Sequence, residues 1–144
     1  MKPGFQGPIA GYTNDGLNWT LTEPVDFVCR DGTRLRIVAG ATTDGPSIPP
    51  HLQGVVSPVG PIWPCGVLHD AAYRAYLQRV TEDAAVPWVP SKAESDALIR
   101  EAMEIAGIDS AHAYLVFEAV HLFGHTAFDD DRRAAIAEGR ISVT

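Results

Sequence analysis

Leu68-His69-Asp70-Ala71-Ala72-Tyr73 places an imidazole and a carboxylate inside an otherwise apolar run. Val67, Leu68, Ala71, Ala72, Ala75 and Tyr76 recur at helical spacing, which predicts a helix from Pro64 to about Gln78. On that helix His69 and Tyr73 share a face, whereas Asp70 is turned by about 100° from His69. The histidine and the carboxylate can therefore serve different partners. Asp96 borders the apolar stripe of the next helical segment. If the two helices pack antiparallel, Asp96 reaches His69 or Tyr73. A carboxylate that holds one imidazole nitrogen leaves the other as a base toward water or substrate. The same residues also suit a structural role. A buried histidine bonded to a carboxylate and a tyrosine is a satisfied polar network.

A second group is Thr42-Thr43-Asp44-Gly45-Pro46-Ser47. Asp44 can accept bonds from the amides that follow it and so fix a turn. It can equally face the His69 cleft or ligate a metal. The other histidines form no comparable pattern. His121 and His125 have helical spacing, but Gly124 between them predicts the helix end. The sequence holds no C-x-x-C, H-E-x-x-H, G-x-S-x-G, Walker loop or G-x-G-x-x-G. Zincins, α/β-hydrolases, P-loop enzymes and dinucleotide enzymes therefore have no motif support.

The elements that must position these residues fall into two halves. Val25 to Cys29 and Thr33 to Val38 alternate apolar and polar residues around Asp31-Gly32, a hairpin pattern. Trp19 to Thr22 reads as a further short strand. From Gly40 to Pro64 the chain is dense in Gly, Pro, Ser and Thr, and Pro46, Pro49, Pro50, Pro58 and Pro61 exclude regular elements there. Its apolar residues predict an ordered loop packed on the body. The second half is helical. Ser91-Lys92-Ala93-Glu94 has the form of a capping box and opens a helix that stops at Gly107. Asp109 or Ser110 caps a third helix ending at Gly124, and Asp129, Asp130 and Asp131 open a short tail helix. Thr81 to Pro90 reads as a loop. The expected fold is α+β in a single domain, residues 1–144. It has a small N-terminal antiparallel β part within residues 1–40, the long Pro/Gly loop, and a C-terminal three-helix body with the tail helix.

Composition narrows the function. The 144 residues are 46% hydrophobic and 20% charged, the balance of a folded chain. A net charge of -7 disfavours nucleic acid and anionic lipid as partners. No apolar run is long enough for a transmembrane segment. Met1 to Phe5 lacks the apolar stretch of a secretory signal, so synthesis is expected in the cytoplasm with Cys29 and Cys65 as reduced, buried thiols.

Three segments together resemble a family. Val38-Ala39-Gly40 with Thr43-Asp44-Gly45-Pro46-Ser47-Ile48-Pro49 is similar to the first motif of a phage and prophage family known as domain of unknown function 1353. Val67 to Tyr73 resembles its LHD-containing helix. Ser95-Asp96, Glu101-Ala102-Met103, Gly107 and Ala119 to Gly124 resemble its ending, so that the likeness spans residues 35–128. Pro50, His121, Phe128 and Ala41 depart from the family's usual residues. The resemblance implies a phage origin, with the host cytoplasm or the virion as location, and no particular reaction. The site layout is also similar to secreted phospholipases A2. That likeness implies His69 as the base that activates water, Asp70 as a Ca²⁺ ligand, and Asp96 with Tyr73 as the groups that orient His69. Gly60 to Gly66 does not match the calcium loop of those enzymes.

Two functional readings follow. One is a phage-encoded hydrolase directed at the host envelope, with His69, Asp96 and Tyr73 as the catalytic group and Asp70 and Asp44 for a metal, Ca²⁺. The other is a non-catalytic virion or tail assembly protein, partnered by other phage proteins, in which the same residues form a buried polar lock.

Overall fold

The computed structural model describes residues 1–46 and 60–142. Eight strands and four helices among them form an α+β fold. The predicted hairpin is present as β4 (Val25–Val28) and β5 (Arg34–Ile37), with Val25 opposite Ile37 and Phe27 opposite Leu35. Gly32 has φ 89°, the left-handed conformation the turn requires. Alternation puts Val25, Phe27, Leu35 and Ile37 on one face, and all four are buried. The opposite face carries Asp26, Arg34 and Arg36 as an ion-pair cluster. β1 (Gly4–Phe5) pairs with β4 on one side. A second, three-stranded antiparallel sheet joins β2 (Gly11–Thr13), β3 (Trp19–Leu21) and β6 (Thr42–Thr43) in that order.

The first helix, α1 (Ile62–Tyr73), is shorter than the periodicity predicts and begins earlier. It ends where Ala75 adopts φ 63° and the amide of Tyr76 returns to the carbonyl of Ala71. This is the bonding of a Schellman stop, with alanine in the place glycine usually takes. The chain then enters β7 (Leu77–Val80), which completes the backbone bonds of β5 with Leu77 opposite Ile37. The segment predicted as loop contains β8 (Ala85–Pro87), paired to β7 at the sheet edge. The β part therefore extends beyond residues 1–40, and the larger sheet runs β1-β4-β5-β7-β8. An unpaired edge on β5 recruited a segment whose own apolar pattern also suited a helix.

The second and third helices start at their predicted caps, and the tail helix does not. α2 (Lys92–Ile105) opens on the Ser91–Glu94 capping box, and Gly107 at φ 83° closes it. Asp109 caps α3 (Ser110–Phe123) by accepting from the amides of Ala111 and His112. The tail helix α4 (His125–Ala137) is a full element of 13 residues rather than a short one. Gly124 ends α3 and starts α4, so Asp129, Asp130 and Asp131 lie inside α4 rather than at its first turn. The expected ordered loop lies largely outside the described residues, as does His51.

The core forms where the buried face of the larger sheet meets the helices: Phe27, Leu35 and Ile37 join Leu68 of α1, Ile99 and Met103 of α2, and Val116 of α3. Burial of this apolar surface is the main driving force for the arrangement. From Cys65 to Tyr73 every residue of α1 is buried. His69 and Asp70 are thus polar groups on a helix enclosed all round, and each must find partners. Cys29 and Cys65 are both free thiols, buried as expected.

Candidate active site

Asp96 projects from α2 with no exposed surface and gathers four neighbours. His69 Nε2 lies 2.9 Å from Asp96 Oδ1, and the Tyr73 hydroxyl donates to the same oxygen at 2.6 Å. Lys92 Nζ donates to Oδ2 at 2.7 Å, and His121 Nδ1 stands 3.6 Å from that oxygen. Burial pushes the Asp96 carboxyl up, but hydrogen bonds from His69, Lys92 and Tyr73 outweigh it and hold its pKa down at about 2. Asp96 is therefore an ionised acceptor at neutral pH. Nε2 of His69 must carry the proton it donates, so in the neutral ring Nδ1 is the basic nitrogen.

The packing of α1 against α2 makes this contact. Lys92 was not legible as a site residue. Its ammonium also donates to the carbonyls of Val120 and His121 at 3.0 Å each, so all three protons are used. It ties α2 to the carbonyl end of α3, where a cation is favoured. The available signal was its position four residues before Asp96. Arg100, four residues after Asp96, pairs with Glu104 and lies over the rings of Tyr114 and Phe117.

Asp70 serves separate partners, as its turn from His69 requires. Its Oδ2 accepts from the Thr43 hydroxyl at 2.6 Å and from the Asp44 amide at 3.1 Å. Thr43 also accepts from the amide of Gly45, fixing the turn after β6. Gly45 has φ 78° and sits against Trp63, and a Cβ on Gly66 would collide with Pro46. These close approaches hold the β6 turn on α1. Burial raises the Asp70 pKa to about 8, against the opposing charge of Arg74. The Asp44 side chain is half-exposed and lies 3.5 Å from Arg74.

A cavity of about 310 Å³ opens over this cluster. His69, Asp70 and Tyr73 line it together with Asp44, Arg74 and Asp131, and Ala119, Val120, Phe123 and Ala127 line its apolar side. Among the described residues no hydrogen-bond partner meets Nδ1 of His69. All five residues singled out from the sequence are therefore brought together: His69, Tyr73 and Asp96 by direct bonds, Asp70 and Asp44 beside them. Arg74, Asp131 and the α3 wall were missed, because nothing in the sequence pattern links α4 to α1.

Neither the curated proteins nor the solved structures include a match to this chain. A family model described as "Protein of unknown function (DUF1353)" matches residues 19–120. The matched span contains Thr43, Asp44, His69, Asp70, Tyr73, Lys92 and Asp96 and ends before α4. With most of its length matched, from β3 to near the end of α3, the chain belongs to this family.

Proposed function

We propose that the protein is a hydrolase in which His69 acts as general base, and that it is phage-encoded and directed at a component of the host envelope. One observation carries the hydrolytic reading. The imidazole held by Asp96 through Nε2 lines an open cavity with room for a water. A merely structural histidine would have both nitrogens occupied and no opening.

In this reading Nδ1 removes a proton from water as the oxygen attacks an acyl or phosphoryl centre. Asp96 stabilises the imidazolium that results and keeps the ring oriented, and Tyr73 fixes Asp96. The imidazolium then returns the proton to the leaving group. Among the described residues no group of three or more His, Cys, Asp or Glu side chains is placed to hold a metal. The steps above therefore use the chain's own groups. If Ca²⁺ takes part, Asp70 and Asp44 are the carboxylates the cavity offers it.

A second reading keeps the same residues as a lock in a virion or assembly protein. The full satisfaction of Asp96 and Lys92 favours it, since that network joins α1, α2 and α3 whatever the cavity does. Two measurements separate the readings. Phospholipid vesicles and peptidoglycan are incubated with the wild type and His69→Ala, with Ca²⁺ and with chelator, and both proteins are melted. The hydrolytic reading expects turnover by the wild type, and a folded but inactive His69→Ala. A wild type inert on both substrates, with a His69→Ala that no longer folds, sinks it in favour of the lock.

A further inference from the structure

We propose that Phe128 is a positioning residue of the site: its ring fixes the Tyr73 ring against His69 and Asp96, and the Arg132 guanidinium fixes Phe128. The use made of this arrangement rests on the hydrolytic reading.

His69 and Tyr73 meet at one oxygen, Asp96 Oδ1, at 2.9 Å and 2.6 Å. Two donors on one acceptor constrain each other's direction, so a turn of the tyrosine is felt by the imidazole. The hydroxyl bond holds only the tip of Tyr73. One neighbour of its ring is the His69 ring, 4.1 Å away between centroids and tilted by 48°. Another is Phe128 of α4, edge to face at 5.1 Å and 80°, an arrangement that aromatic pairs favour. The junction of α3 and α4 also comes close, since a Cβ on Gly124 would lie 2.9 Å from the Tyr73 hydroxyl oxygen. Tyr73 is thus held by His69 and Asp96 from α1 and α2, and by Phe128 from α4.

Phe128 is itself clamped. One turn further along α4, the Arg132 guanidinium stands 4.6 Å from the centroid of the Phe128 ring. The same group donates to the carbonyl of Ala72, at 3.1 Å, and to that of Pro90. Ala72 precedes Tyr73 on α1, and Pro90 precedes the Ser91 cap of α2. One side chain therefore ties Phe128 to the two helices that carry His69, Tyr73 and Asp96. Its placement is costly. The Arg132 Nε is buried with no hydrogen-bond partner among the described residues, and burial pushes the Arg132 pKa down. Core formation does not account for that cost, because Ala135 is the one buried residue of α4. A guanidinium kept in this way suits a second layer of residues that holds a functional group in place.

The test follows, by NMR on the whole protein, the exchange with water of the His69 Nε2 proton. Phe128→Ala should speed that exchange by about tenfold, and Phe128→Leu carries the same expectation if the alanine variant does not fold. Phe128→Trp, which keeps a ring at the contact, should exchange like the wild type. Adding Phe128→Ala to Tyr73→Phe should change little beyond Tyr73→Phe alone, because Phe128 acts through the tyrosine. Arg140 anchors the chain just after α4, through the Arg74 carbonyl and the Tyr76 ring. Arg140→Ala should lower the melting temperature and leave the exchange unchanged. An exchange unaffected by Phe128→Ala, one raised as much by Arg140→Ala, or effects that multiply in the double variant each overturns the proposal. The reaction is scored apart. With a substrate that the wild type hydrolyses, Phe128→Ala should lower kcat by about tenfold and leave KM in place, since Phe128 is not among the described residues that line the cavity. A change confined to KM overturns the positioning role. A wild type that hydrolyses nothing ends the hydrolytic reading, and the exchange measurement alone then decides the positioning.

Discussion

Asp96 decides the behaviour of the site because three side-chain donors, from His69, Tyr73 and Lys92, depend on it. Removing it leaves Lys92 buried beside two carbonyls with no counter-charge, and leaves Tyr73 and His69 without their acceptor. Breaking a buried charge pair from one side costs about 3–5 kcal/mol. Asp96→Ala should lower stability by that order. Tyr73→Phe removes one donor from a carboxylate that keeps His69 and Lys92, so its cost should be about 1.5–3 kcal/mol, below that of Asp96→Ala. Urea melts of the two variants check the ranking, and similar losses would mean that the cluster is not centred on Asp96. Much of this group was legible from the sequence, because polar side chains inside apolar helical stripes must be partnered and few partners were on offer. Lys92 was less so. At the first turn of α2, next to its cap, a lysine reads as solvated surface, and only the approach of α3 makes it a buried donor. Asp70 sided with Thr43 and the Asp44 amide. The Thr-Asp-Gly segment announced a turn without showing which buried acceptor it would meet.

At the scale of elements, what the sequence conveyed well were boundaries with side-chain chemistry. The Ser91 box, the Asp109 cap and the glycine stops at 107 and 124 are all present. Ser91→Ala should cost about 1 kcal/mol, since it removes the acceptor of the Glu94 amide. A thermal melt lower by a few degrees is the expected result, and an unchanged melt would show that tertiary packing alone holds that end of α2. Among the boundaries missed was the end of α1. Ala75 carries no stop signal, yet it occupies the left-handed region at φ 63°, where an L-residue costs about 1–2 kcal/mol. Ala75→Gly should therefore stabilise the protein by up to about 1 kcal/mol, less than the strain removed because glycine also loosens the unfolded chain. A destabilised Ala75→Gly would contradict this account of the turn. The stop at Ala75 is set by a distant partner. The amide of Val38 donates to the carbonyl of Tyr76, and β5 needs β7 beside it. Non-local pairing of this kind is invisible to a window of neighbouring residues.

Across the whole molecule, two pairs of buried or half-buried carboxyl groups have opposite effects on stability. Asp96 and Asp26 are held low, the first at about 2 by His69, Lys92 and Tyr73 against its burial, the second by Arg36 and Arg34. Groups lowered in the folded state contribute stability that is complete above the ordinary value of 3.8 and is lost as pH falls below it. Asp70 and Asp131 are raised, Asp70 to about 8, with burial the main cause for both. A raised acid binds its proton more tightly in the folded state, so its effect has the other sign. Stability then declines as pH climbs from about 4 toward about 8, where Asp70 must ionise without an adequate partner. The two sets together predict greatest stability on the acidic side of neutrality and a melting temperature several degrees lower at pH 8 than at pH 5. About 1 kcal/mol corresponds to roughly 2–4 °C for a chain of this size. Asp70→Asn should flatten the decline between pH 5 and pH 8 and leave the acid limb in place, because Asp96 and Asp26 are untouched. Melting curves of wild type and Asp70→Asn across that range provide the check. A wild-type melt that rises toward pH 8, or a decline unaffected by the substitution, would show that Asp70 is ionised in the folded protein, with its charge met by Arg74.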